Sequence, residues 1–214
     1  MENSGETRCT AFEGSRRIAS GALGHVALKT KEVVDRGEQA PVLIFDDVTG
    51  EQIEVDFRGA PEEVLKRLTG PRDAAPDHPD GGAPRGPGRP RLGVVAREVT
   101  LLPRHWDWLN SQPGGASVAL RKLVEEARRV NAGRDRVRRA REAAYGFMSA
   151  MAGNFPGFEE ATRALFAGNS ERFDKLVAPW PADVRDHARK LAAVAFEGAG
   201  GGSGPRPTSP MVTA

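Results

Sequence analysis

The sequence has almost no cysteine, no membrane-length apolar run and none of the compact catalytic motifs. Cys9 is the single cysteine in 214 residues, which excludes an intrachain disulfide framework and any multi-cysteine zinc or iron–sulfur site. Such sparing use fits a reducing, cytoplasmic setting. No apolar stretch approaches the roughly 18–20 residues of a membrane span, so no membrane partner is expected. The N-terminus, MENSGETRCTAFEG, lacks a basic-then-apolar signal pattern, so secretion is not expected. There is no Walker loop, no dinucleotide-binding glycine fingerprint and no Gly-x-Ser-x-Gly nucleophile turn. His25, His78, His105 and His187 are scattered, no two at metal-ligand spacing, and each reads as a surface or hydrogen-bonded histidine. No catalytic residue, cofactor or metal is assigned, and the chain reads as a non-enzyme.

Glycine, proline and unevenly placed charge are what the chain has instead. Its 25 Gly and 16 Pro exceed the roughly 12% average, so the packed part is shorter than the chain. The net charge of +2 hides an asymmetry. Residues 1–83 carry 10 Lys/Arg against 16 Asp/Glu, residues 84–145 carry 14 against 6, and residues 146–214 carry 7 of each. The middle block can hold a polyanion and steer its approach. A solvated arginine-rich helix face is the other reading of the same block.

The fold class is α+β. Residues 1–69 read as a small α+β domain in the order ββαββα. TRCTAFEG and RRIASG are strands around Gly14-Ser15, and GALGHVALKTKEVVDRG is a helix that Gly37 stops. PVLIFDD is a strand, Asp47-Val48-Thr49-Gly50 a turn, and QIEVDF a fourth strand with Ile53, Val55 and Phe57 on one face. The acid pair Asp46-Asp47 reads as turn chemistry rather than a cation site, and Cys9 as a small buried apolar residue. Pro61 opens a short helix, PEEVLKRL, with acids first and bases last. About 65 residues make a marginal core, so this unit calls for a partner surface. Residues 70–92 read as a disordered Pro/Gly-rich basic linker, and residues 198–214 as a flexible tail.

Residues 93–131 form the next unit. A strand is expected over Val94–Leu101, and Pro103 leads a helix containing Trp106 and Leu109. Gln112-Pro113-Gly114-Gly115 breaks it, and Ser117 is the expected N-cap of a second helix with the apolar stripe Leu120, Leu123, Val124 and Ala127. Strand, Pro-led helix, glycine turn and Ser-capped helix resemble the ribbon-helix-helix family of DNA-binding proteins. VTLLPRHWDWL is similar to that family's strand-to-helix junction, and GGASVALRKLVEEA to its second helix. The resemblance implies a homodimer through residues 94–130, a two-stranded ribbon in the major groove, and the Ala116 and Ser117 amides on a phosphate. Arg97 and Thr100 are the strand's candidate contacts. Glu98 shares the parity of Thr100 and opposes phosphate. A segment that only dimerises the protein is the competing reading.

Upstream, Arg85-Gly86-Pro87-Gly88-Arg89-Pro90-Arg91 is similar to an AT-hook. The Gly88-Arg89-Pro90 core, flanked by Arg85 and Arg91, suits the narrow, strongly negative minor groove of A·T runs. Downstream, residues 132–197 read as a basic helix and a helical C-terminal segment. The helical signal pauses at Asn131-Ala132-Gly133. Beyond it, Arg134, Arg138 and Arg141 share one helix face, suited to phosphate contact, or to a solvated face balanced by Asp135 and Glu142. Phe147, Met151, Phe158, Leu165, Phe166, Phe173, Leu176, Trp180, Val184 and Leu191 form the expected helical core.

From TRCTAFEGSRRIASG through LGVVAREVTLLPRHWDWLNSQPGGASVALRKLVEEARR to MAGNFPGFEEATRALFAGN and WPADVRDHARKLA, the chain resembles a bacterial family, domain of unknown function 2239. That resemblance implies a bacterial protein and no particular activity. The residues favour a homodimeric DNA-binding protein of regulator or nucleoid type. A dimeric scaffold is the second reading, and an enzyme with an unrecognised site in the first domain the third.

Overall fold

The computed structural model describes residues 7–37, 40–69 and 97–197. The chain divides into two compact units, one of residues 1–70 with 133–214 and one of residues 71–132. The AT-hook-like linker, with Arg85, Arg89 and Arg91, lies outside the described residues, as does the tail.

In the first unit, β1 (Arg8–Glu13) and β2 (Arg16–Ala22) form a hairpin around Gly14, whose φ is +54°. α1 (Leu23–Asp35) follows, and β3 (Val42–Asp46) returns antiparallel along the other edge of β1. The sheet order is β2-β1-β3. β1 is therefore central and covered on both faces, which explains its run of buried residues from Cys9 to Glu13. Strand alternation sorts the two faces. Cys9, Ala11 and Ile44 meet Leu23 and Val26 of α1. Phe12 and Phe45 point the other way, into a larger core with Ala144, Phe147, Met148 and the C-terminal helices. The sheet of residues 1–69 thus finds its second apolar partner in the helical segment of the same unit.

The fourth strand is corrected. Gln52 bridges Phe45 and the Ile53 N–H donates to the Ile44 carbonyl at 2.7 Å, but 53–57 carry no ladder. Side chains replace it: Lys31 Nζ donates to the Phe57 carbonyl at 3.2 Å, and Arg67 Nη2 to the Asp56 carbonyl at 2.9 Å. Ile53, Val55 and Phe57 still turn inward against the α1 cluster. The alternation reported burial, and burial does not require pairing. α2 (Pro61–Thr69) begins at Pro61 as expected, with Glu62 and Glu63 in its first turn and Lys66 and Arg67 in its last.

In the second unit, α3 (Pro103–Ser111) starts at Pro103, and α4 (Gly115–Ala152) begins at Gly115, with Gly114 and Gly115 at φ +87° and +73°. Three expectations change here. Residues 97–102 carry no ladder; a ribbon between two chains has no partner within one chain. Ser117 is not an N-cap but stands exposed in the first turn of α4, where its carbonyl accepts from Arg121 Nε at 3.1 Å. α4 runs unbroken through Asn131-Ala132-Gly133 for 38 residues, about 57 Å at 1.5 Å per residue. A single glycine costs a helix only about 1 kcal/mol, which its Ala- and Arg-rich neighbours offset. Asn131 Nδ2 also donates back to the Ala127 carbonyl at 2.8 Å. Leu109 and Ala119 are buried in this unit, whereas Val99, Leu102, Trp108, Leu123, Val124 and Val130 are 48–65% exposed.

The C-terminal helices of the first unit are α5 (Phe158–Ala167), α6 (Ser170–Val177) and α7 (Ala182–Phe196). Gly157 and Gly168 take left-handed φ at the ends of α5, and Asn169 Oδ1 accepts from the Arg172 N–H at 2.9 Å to cap α6. Trp180 is 3% exposed and its Nε1 donates to the Pro156 carbonyl at 3.1 Å, tying one helix break to the other. Phe166 is a further correction: it is 47% exposed and stands outside this core. Adjacent helical positions such as 165 and 166 diverge by about 100°, and Leu165 takes the inward one.

Candidate nucleic-acid interface

The part of α4 in the first unit is amphipathic by construction. Ala143, Ala144, Phe147 and Met148 are buried, and the arginines occupy the remaining turns. Arg134, Arg136, Arg138 and Arg141 line an open groove of about 850 Å³ with Phe166 and Glu197. The expected grouping of Arg134, Arg138 and Arg141 therefore holds in space.

Their electrostatic states differ. Arg138 donates to Asp135 at 3.1 Å and Glu142 at 3.4 Å, and the Asp135 hydrogen bond leads in raising its pKa above the ordinary guanidinium value. Arg136 is ion-paired with Glu197, just past α7. Arg139 Nε donates to the Asp135 carbonyl at 3.2 Å. Among the described residues, Arg134 and Arg141 have no carboxylate within 4.0 Å. Arg141 also buries its Nε, which has no hydrogen-bond partner among the described residues.

A second groove of about 860 Å³ runs past Asp47, Gly50, Arg136, Arg139, Gly146 and Lys190. Its shape depends on one glycine. Gly50 sits at φ +68°, and a Cβ there would come within 2.1 Å of the Ala143 carbonyl oxygen. Asp46 shapes the turn, its Oδ1 accepting from the Val48 and Thr49 N–H groups at 2.7 and 2.8 Å.

Beside this turn lies a polar cluster that no spacing in the sequence marks. Asp47 accepts from Thr10 Oγ1 at 2.7 Å and Lys190 Nζ at 2.6 Å, and Thr10 hydrogen-bonds Ser20 at 3.0 Å. Burial alone would raise the Asp47 pKa, but the Lys190 and Thr10 hydrogen bonds outweigh it and hold the carboxyl below its usual range. His187 Nε2 lies 3.8 Å from Asp47 Oδ1. The ring is 2% exposed, packed edge-on against Phe12 and Phe147, and Nε2 has no hydrogen-bond partner among the described residues. The expected surface or hydrogen-bonded histidine is thus corrected: burial pushes His187 down to about 4 and keeps it neutral. Cys9 is fully buried, and its thiol is pushed up to about 11 by burial and then by Asp47 and Asp46. A neutral, covered imidazole and a protonated thiol offer a substrate no accessible base or nucleophile.

In the second unit, Arg97, Thr100 and Ser117 are all exposed. Arg128 and Arg129 pair with Glu125 and Glu126 at 3.1 and 2.8 Å, while Arg97, Arg104, Arg121 and Lys122 make no ion pair among the described residues. No group of three metal-ligating side chains and no membrane-length apolar helix occurs among the described residues.

The chain belongs to a bacterial family of uncharacterized conserved proteins, domain of unknown function 2239, whose model matches residues 8–192. No curated protein and no solved structure matches it.

Proposed function

We propose that this family member is a binding protein rather than an enzyme, and that it binds DNA as a homodimer. The observation that carries the reading is the pair Arg134 and Arg141, two guanidinium groups in an open groove without carboxylate partners among the described residues. A polyanion supplies the missing partners without sequence-specific readout. In the second unit, the uncovered Val99, Leu102, Trp108, Leu123, Val124 and Val130 support self-association, because apolar surface of this kind is stabilised by a second copy. Arg97, Thr100 and the first turn of α4, with Ser117, then add contacts within the dimer. The AT-hook-like Arg85, Arg89 and Arg91 add minor-groove contacts on A·T-rich tracts.

The same uncovered residues favour one alternative, a dimeric scaffold that binds no nucleic acid. A mobility-shift titration with random-sequence duplex over a range of salt separates the two. Binding whose logarithm falls linearly with log salt supports DNA binding. A dimer in light scattering with no shift at low salt supports the scaffold.

A further inference from the structure

We infer that the arginine groove of the first unit takes unpaired nucleic-acid strands, with Phe166 and Tyr145 as the stacking platform for their bases; this rests on the DNA-binding reading above. Phe166 lines the groove with Arg134 and Arg141 and is 47% exposed. Tyr145, one helical turn beyond Arg141, is 43% exposed, and its ring stands 5.8 Å from that of Phe166 at 64°. Two aromatic rings held edge to face in water, beside cations lacking carboxylate partners among the described residues, match the two needs of a single strand. Its phosphates want positive charge and its bases want π-faces. A duplex hides its base faces inside the stack, so it could use the arginines but not the rings. The groove, at about 850 Å³, lies within the size range of small-ligand sites and has room for a nucleotide-sized segment. The acids on its rim, Glu142 and Glu197, already hold Arg138 and Arg136. They repel additional phosphate there and leave the Arg134 and Arg141 positions to the backbone.

The test uses the full chain, a labelled oligothymidylate of about 16 nucleotides, and a duplex of equal length at the same salt. The expected result is tighter binding of the single strand. Phe166→Ala should weaken it by roughly 5- to 150-fold, the range for removing one base–aromatic stack, and leave duplex binding unchanged. Phe166→Trp should restore single-strand binding. Tyr145 is the only tyrosine, so its ring gives one tyrosine NMR spin system, whose signals should shift when the oligonucleotide is added. Equal losses on both polymers, or no loss from Phe166→Ala and a stationary tyrosine signal, would overturn the inference. If Arg134→Gln with Arg141→Gln still weakened both polymers in that case, the DNA-binding reading would survive alone. Absence of binding to either polymer would overturn both. Oligouridylate compared with oligodeoxyuridylate decides the sugar, and tighter binding of the former would replace DNA with RNA as the polymer while keeping the platform.

Discussion

Lys190 Nζ donates to Asp47 Oδ2 at 2.6 Å across 143 residues of sequence. The contact joins α7 to the turn after β3. The carboxylate is 8% exposed in its side chain while the ammonium remains 54% exposed, so the anion is the buried member of the pair. With Thr10 on the other oxygen, Asp47 has both of its oxygens occupied. The cluster holds one end of the sheet against the C-terminal helices within the first unit.

Acid should unfold this unit in two windows. The folded pKa of His187, about 4, lies below its ordinary 6.5, so its contribution is present above 6.5 and lost as pH falls toward 4. That difference corresponds to about 3 kcal/mol. Asp47 is also depressed, so its contribution is present above the usual 3.8 and lost below it as the carboxyl protonates. His187→Leu removes an unpartnered buried nitrogen. It should cost little at pH 7 and flatten the stability profile between pH 6.5 and 4, measured by urea unfolding at stepped pH. A wild-type slope retained in the variant would assign the titration elsewhere.

Gly50→Ala should destabilise by about 3 kcal/mol or more, because strain at positive φ adds to a collision with the α4 backbone. Gly37→Ala is the control. It shares the left-handed φ, at +74°, but its Cβ would meet nothing within 4 Å among the described residues, so the cost should be only about 1 kcal/mol. Thermal melts of the two variants compare the costs directly.

Replacing Arg134 and Arg141 together by Gln should reduce the slope of log affinity against log salt by about 1.8, or about 0.9 for each phosphate no longer neutralised. Adding Arg138→Gln should change the slope less, since Asp135 and Glu142 already compensate that charge. Titrations on duplexes of different sequence should show the same decrease. An unchanged slope would return these arginines to a solvated face.

Leu123→Asp with Val124→Asp should turn a dimer into a monomer in sedimentation velocity at micromolar concentration. Both side chains are about half exposed in the single chain, at 49% and 55%, so the folded monomer should tolerate the change. Wild-type protein that sediments as a monomer would remove the homodimer.

Arg89→Ala with Arg91→Ala should weaken binding to A·T-rich duplex more than to G·C-rich duplex, because groove width and potential set that contact. Equal weakening on the two, in parallel anisotropy titrations, would make the segment a plain basic linker.

Local rules carried much of the architecture. Pro61 and Pro103 start helices as their missing N–H groups predict, and the β1–β2 hairpin and β3 lie where alternation and turn residues put them. The grouping of Arg134, Arg138 and Arg141 followed from helical period alone. Local rules failed where a nonlocal partner decided. QIEVDF has strand alternation, yet Lys31 and Arg67 side chains take carbonyls that a ladder would have used. Gly133 looks like a stop, yet the flanking helix formers carry α4 through it.

By itself, the sequence determined the helix starts at Pro61 and Pro103, the charge asymmetry and the lone cysteine, because each depends on residues within a few positions or on a count. Only the tertiary structure decided that Arg136 is compensated and which aromatics meet water. Arg138 pairs with Asp135 and Glu142 along its own helix, as spacing allows, but Arg136 meets Glu197 from beyond α7, and among the described residues Arg134 and Arg141 have no carboxylate partner. Phe166 follows Leu165 directly, and a rotation of about 100° between them separates core from groove. Asp47, Thr10, Lys190 and His187 come together only because the sheet and α7 pack face to face. Coulomb energy depends on distances through space, and periodicity along the chain does not give the distance between elements far apart in sequence.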